Sequence, residues 1–272
     1  MNSQIREIET FIQERWKDAK DIFPSMWRAL KLLCENRPHD DLIKEYLEKY
    51  AQERQLSFSE QDFDKIKRYC EIVESAGYEL MFKDTIGTTS TTLNGTIRFK
   101  KKKIIVTPQW AVQLVFEDTI ETRNAFEFTI GHELAHAKDI SCLKNGIVYR
   151  RLTRVLNEFR ADFNAITELD KIDGIDPKDN DLLADACRYK RDFKINKSCQ
   201  KDKYCRAHPP WSRRIEAASE GKFDSALVEL VAKDLHYNLY FLNWLFFPMV
   251  IKNYSDKEII LPKKSTAYSK SR

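Results

Sequence analysis

Residues 130–139 read I-G-H-E-L-A-H-A-K-D, and they constrain this chain more than any other stretch. His132 and His136 stand four apart, so on a helix they share one face, one turn from each other. Two imidazoles so placed fill two corners of a zinc tetrahedron. Glu133, beside the first, points to the metal's open side, where it can take a proton from a bound water. Histidines are few: of five (39, 132, 136, 208 and 236), two fall at this spacing around a glutamate. A chance pairing on an amphipathic helix is the plainer reading, and the flanks weigh against it. Asp118 followed by Glu121 has the form of a capping box. Ile120, Phe126, Ile130 and Leu134 recur at helical intervals, which predicts a helix over 119–138 with those four side chains facing the core.

A second acidic face follows. Within V-L-N-E-F-R-A-D-F-N-A (155–165), Glu158, Ala161, Asp162 and Ala165 fall at i, i+3, i+4 and i+7. Two acids and two small residues make a poor core stripe but suit close approach to another helix at a metal. Glu158 is the expected third zinc ligand. Asp162, one turn on, is the expected acceptor for the far nitrogen of a ligand histidine. A solvated acidic face is the plainer reading, but it gives the alanines no purpose. Further on, A-H-P-P-W-S-R-R-I (207–215) sets His208 before a proline pair and puts Arg214 and Ile215 in a short predicted helix. Taken alone, such a histidine reads as a helix-start residue.

In this order, H-E-L-A-H, E-x-x-A-D-x-x-A and H-P-x4-R-I resemble the gluzincin zinc peptidases of the HtpX type. That group includes the CAAX prenyl-protein endopeptidases and the mitochondrial inner-membrane quality-control peptidases. The segment I-I-V-T-P (104–108) is similar to that family's strand and helix start before the zinc helix. The resemblance covers roughly residues 77–220. It implies one Zn2+ per chain held by His132, His136 and Glu158, with Glu133 as general base. It also implies that Asp162 orients a ligand and that Arg214 holds the C-terminal motif against the site. On this plan Glu133 takes the proton of zinc-bound water and returns it to the leaving amine. The oxyanion calls for a further donor, and His208, Tyr204 and Arg214 are candidates in that order. A fourth-ligand role in a latent resting state is also open to His208. The E-x-x-A-D stretch is equally similar to the soluble ImmA/IrrE-type regulatory metallopeptidases, and H-P-x4-R-I is what favours the HtpX type. A protein using zinc only structurally, as a binding module, would need a closed four-ligand shell completed by Cys or His208.

The rest of the chain bounds this reading. Its 272 residues allow one large domain or a domain with extensions, and 16 Phe, 11 Tyr and 5 Trp supply a sizeable core. The expected fold is α+β and mostly helical: a zincin-like catalytic core with a small antiparallel sheet, preceded by N-terminal helices. Three regions are expected: a helical region over 1–76, the metallopeptidase core over 77–220, and a helical, aromatic segment with a basic tail over 221–272. In the first, apolar residues step by three and four, giving three to four helices broken near Phe23–Pro24, at Arg37–Pro38 and near Ser57. The threonines of 88–92 and the turn signal Asn94–Gly95 predict the antiparallel sheet, with a second turn near Lys101. Helices are expected over 109–116 and 182–193, with a loop over 170–181.

A net charge of +4 is small beside 46 basic and 42 acidic residues, and the cationic run 98–103 holds one aromatic. Nucleic acid is therefore not expected as a partner, and the resemblance implies a protein or peptide substrate. Scattered cysteines and a charged start without a signal-peptide pattern point to the cytoplasm and to thiols. Cys199 and Cys205 meet neither common metal spacing. No run of 18 apolar residues predicts a membrane span. Residues 235–251 come nearest and read as a buried helix, with peripheral membrane or partner contact through their aromatics as the alternative.

Overall fold

The computed structural model describes residues 39–83, 90–93, 102–138, 150–172, 175, 180–192, 204, 208–236 and 259–260. Expectations for 1–38, the Asn94–Gly95 turn, Cys199, Cys205 and residues 237–251 lie outside the described residues.

The described part is mostly helical. Helix α1 (His39–Arg54) ends where Gln55 takes left-handed backbone, φ 56°. Helix α2 (Glu60–Ser75) starts at Ser59, whose hydroxyl accepts from the Asp62 backbone N–H while the Asp62 carboxylate accepts from the Ser59 N–H. The break expected near Ser57 spans residues 55–59, and this capping box starts the helix that follows it.

Strands β1 (Glu79–Phe82), β2 (Ser90–Leu93) and β3 (Lys103–Val106) form one sheet in the order β1-β3-β2. The antiparallel sheet expected from the sequence is corrected to a mixed one: β3 runs parallel to β1 and antiparallel to β2. Chain direction alternates along β1, β2 and β3, so a third strand inserted between the other two must lie parallel to the first. β3, Lys-Ile-Ile-Val, is buried at all four positions, and a strand covered on both faces belongs in the middle.

After Pro108 a single α-helical turn, α3 (Gln109–Val112), widens into a π-helical turn (Gln113–Glu117), which Asp118 closes in left-handed backbone at φ 40°. Asp118 therefore cannot be the N-cap of the next helix, because that position needs extended backbone. Thr119 does the work instead: its Oγ1 accepts from the Thr122 backbone N–H at 3.1 Å. Helix α4 (Ile120–Lys138) begins there. Ile120, expected in the core, is exposed as the helix's first residue, whereas Phe126, Ile130 and Leu134 are buried. Every residue from 125 to 135 is buried, so α4 is a core helix with no solvent face along its middle. Its anchor is Phe126, with the rings of Tyr69, Trp110 and Phe82 at 5.0, 5.4 and 6.3 Å. Truncating such a residue to alanine costs about 3–5 kcal/mol.

Helix α5 (Arg150–Leu169) packs against α4 more extensively than any other described pair of elements. Gly131 permits this: a Cβ there would meet the Ala165 carbonyl oxygen and Leu169 Cγ, each at 2.8 Å. Ala161 and Ala165 are buried against that approach. Helices α6 (Asn180–Asp192) and α7 (Trp211–Glu220) complete the layer around α4. Strand β4 (Lys222–Phe223) pairs with β5 (Ile259–Ile260), and α8 (Ser225–Asp234), capped by Asp224, packs on α5. No described helix is long and apolar enough to cross a membrane.

Candidate metal centre

Close packing of α4 on α5 brings the histidine pair of one helix to the acidic face of the other. His132 and His136 present Nε2 atoms 3.0 Å apart, with their rings perpendicular. Glu158 Oε2 lies 3.5 Å from His132 Nε2, and Glu158 Oε1 lies 3.3 Å from His136 Nε2. Among the described residues these three form a group whose donor atoms all fall within 4.8 Å of one another. Zinc bonds of about 2.0–2.1 Å directed to tetrahedral corners put the donors about 3.3 Å apart, which is the spacing found here. Two imidazoles and one carboxylate are also a donor set that zinc accepts. On both counts the residues fit the ion that the sequence implies.

The site is braced from behind. His132 Nδ1–H donates to Asp162 Oδ1 at 2.9 Å, which leaves the Nε2 lone pair facing the group. Arg214 Nε donates to Asp162 Oδ2 at 2.7 Å, and Arg214 Nη2 donates to Oδ1. His132, Glu158, Asp162 and Arg214 are all buried, while His136 is partly open and His208 more so. Solvent therefore reaches the group from the His136 side.

Electrostatics follow from this geometry. Burial pushes the Glu158 carboxyl upward, but the charge of His208 and hydrogen bonds from His132, His136 and His208 hold it well below the usual carboxylate range. Asp162 is likewise driven up by burial and pulled further down by Arg214 and His132. For His136 burial opposes the charge, yet Glu158, Glu133 and Asp162 together raise it to about 9. Without a cation the pocket thus keeps a proton among its carboxylates, as expected of a site built to hold positive charge.

No protein-family model, curated protein or solved structure matches this chain. The site must therefore be judged on its own geometry. Glu133 is buried on α4 beside His132 and lies close enough to His136 to favour its charge. His208 Nδ1 meets Glu158 Oε2 at 2.8 Å but does not belong to the three-residue donor group. Of the other oxyanion candidates, Tyr204 gives its hydroxyl to Asp234 at 2.9 Å, and Arg214 is committed to Asp162. His208 alone of the three touches a donor residue of the group. Sequence reasoning missed Gly131, whose signal was a glycine inside a long helical pattern. It also missed Trp211, whose ring lies 4.3 Å from the Arg214 guanidinium, and Lys190, whose ammonium lies 5.7 Å from the same ring.

Proposed function

We propose that this chain is a zinc-dependent metallopeptidase. The observation that carries the reading is the spacing of the His132, His136 and Glu158 donors, 3.0 to 3.5 Å, with three protein ligands and no fourth among the described residues. Structural zinc sites close a shell of four, whereas catalytic sites hold three ligands and leave one position open. That distinction favours an enzyme over a binding module. When bound, zinc supplies a Lewis acid that polarises the scissile carbonyl and acidifies water.

Each residue then has a task. Glu133 holds the proton taken from the nucleophile and delivers it to the leaving amine. Asp162 fixes the tautomer of His132, and Arg214 keeps Asp162 ionised and in position. His208, at the open edge of the group, donates to Glu158 and is the nearest of the candidate donors for the oxyanion. HtpX-type and ImmA/IrrE-type peptidases share this reaction class, so the proposal is made for the class, with a protein or peptide as substrate.

Elemental analysis of the wild type, Glu158→Ala and Glu133→Gln tests the reading. About one zinc per chain is expected in the wild type and in Glu133→Gln, with little in Glu158→Ala. Hydrolysis of an unfolded protein substrate should be lost in Glu133→Gln. Full peptidase activity in a zinc-loaded Glu133→Gln protein would overturn the mechanism.

A further inference from the structure

Four helices each bury one charged side chain in the same corner of the molecule: Glu133 on α4, Asp162 on α5, Lys190 on α6 and Arg214 on α7. Helix α6 packs on both α4 and α7, which brings Lys190 among the other three. Burial works most strongly against the Lys190 ammonium and Arg214 adds to that, while Asp162 and, less strongly, Glu133 favour it. Cys187, one turn before Lys190, offers no negative charge, since burial pushes its thiol up to about 12. Among the described residues the ammonium makes no hydrogen bond and no ion pair, and its direct contact is the Trp211 ring, 5.7 Å from Nζ to centroid. The Arg214 guanidinium lies against the same ring.

The charges balance as a set of four, two acids against two cations. Within it Asp162 and Arg214 are spent on each other: both Asp162 oxygens are taken, by His132 and Arg214, and Arg214 gives them its Nε and Nη2. The acid and the cation that complete the set are Glu133 and Lys190. A charge buried alone is costly, and a buried opposite charge nearby offsets that cost even without a direct bond.

We propose that Lys190 is the counter-charge of Glu133, a positioning residue that steadies the general-base carboxylate without bonding to it. The positioning role rests on the reading of this chain as a metallopeptidase, whereas the charge pairing does not. A general base has to stay within about 0.5 Å of its productive geometry while it takes and returns a proton. A hydrogen bond from a lysine would occupy a carboxylate oxygen that this work needs, and Lys190 makes none. Held against a rigid aromatic ring, its ammonium supplies a fixed charge that costs no reorganisation during the reaction.

The test has two arms, both on the full chain. In the first, urea unfolding is measured for the wild type, Lys190→Met, Glu133→Gln and the double variant. The factor by which Lys190→Met raises the unfolding constant should shrink about fivefold or more once Glu133 is already Gln. If Lys190→Met does not fold, a folded double variant carries the same meaning, and failure of both counts against the pairing. In the second arm, zinc content and the hydrolysis of an unfolded protein are measured together. Lys190→Met should lower kcat by roughly 100-fold with KM and zinc per chain unchanged, and Lys190→Arg should restore most of it. A merely structural lysine would not separate kcat from KM and metal content in this way. The urea cycle needs neither metal nor turnover, so an inactive wild type would remove the peptidase reading and the positioning role while the cycle still decides the pairing. Additive effects in the cycle would overturn the pairing, and an unchanged kcat in zinc-loaded Lys190→Met would overturn the role.

Discussion

Arg214 Nε donates to Asp162 Oδ2 at 2.7 Å, and the same carboxylate accepts from His132 Nδ1 at 2.9 Å. Three helices are joined at this point: α7 through the arginine, α5 through the aspartate and α4 through the histidine. The run that carries Arg214 also carries His208, which meets Glu158 at 2.8 Å. One short C-terminal segment therefore grips both acids of the α5 face, each by a charged hydrogen bond.

Removing the guanidinium leaves a buried carboxylate with only the His132 imidazole as partner. Arg214→Met should cost about 3–5 kcal/mol of stability. It should also weaken metal binding by about 10- to 100-fold, because Asp162, which fixes the His132 ring, loses the group that holds it in place. Urea denaturation and competition with a chromophoric chelator measure the two effects separately. Unchanged metal affinity would remove Arg214 from the bracing of His132.

Gly131→Ala tests the helix contact itself. The added methyl meets the Ala165 backbone oxygen, which cannot swing aside as a side chain tip would. A loss of about 1–3 kcal/mol is expected in urea denaturation, the cost of overpacking. Metal affinity should fall with it, since Glu158 lies on the helix that would be pushed away.

His208→Ala separates the two roles open to this histidine. As a donor outside the three-ligand group, its loss should leave metal content near one per chain while lowering turnover by roughly 100-fold or more. A proportional loss of metal instead would make it a ligand.

A pH effect is expected away from the metal. Arg213 Nε and the Tyr204 hydroxyl both donate to Asp234 Oδ2, tying the end of α8 to α7. Burial works against the Asp234 charge, but Arg213 and Tyr204 hold its carboxyl below the ordinary value. A depressed folded pKa gives stability that is fully present above the unfolded value, about 3.9, and is lost as pH falls through the folded one. Asp234→Asn should therefore lower the urea midpoint at pH 7. The gap between mutant and wild type should narrow as the pH is lowered below about 4.

The helices were largely legible because periodicity and caps are local. Residues 39–75, 120–138, 150–169 and 180–192 all carry apolar spacing that helical geometry requires. What failed was also informative. Asp118 and Glu121 have the form of a capping box, but Asp118 closes the π-helical turn in left-handed backbone, a conformation that the tetrapeptide does not announce. The turn signal Asn94–Gly95 is local and predicts antiparallel pairing. The parallel partner of β3 lies more than twenty residues upstream, where no short pattern announces it.

By itself the sequence determined which side chains share a face: His132 with His136, and Glu158 with Asp162, since a helix sets those positions whatever surrounds it. Only the tertiary structure decided that the two faces meet, that Arg214 rather than solvent satisfies Asp162, and that Lys190 is buried beside Trp211 with no hydrogen bond among the described residues. Such pairings join residues some 20 to 80 positions apart in the chain. They depend on how closely packed helices approach, which here turns on a missing Cβ at Gly131.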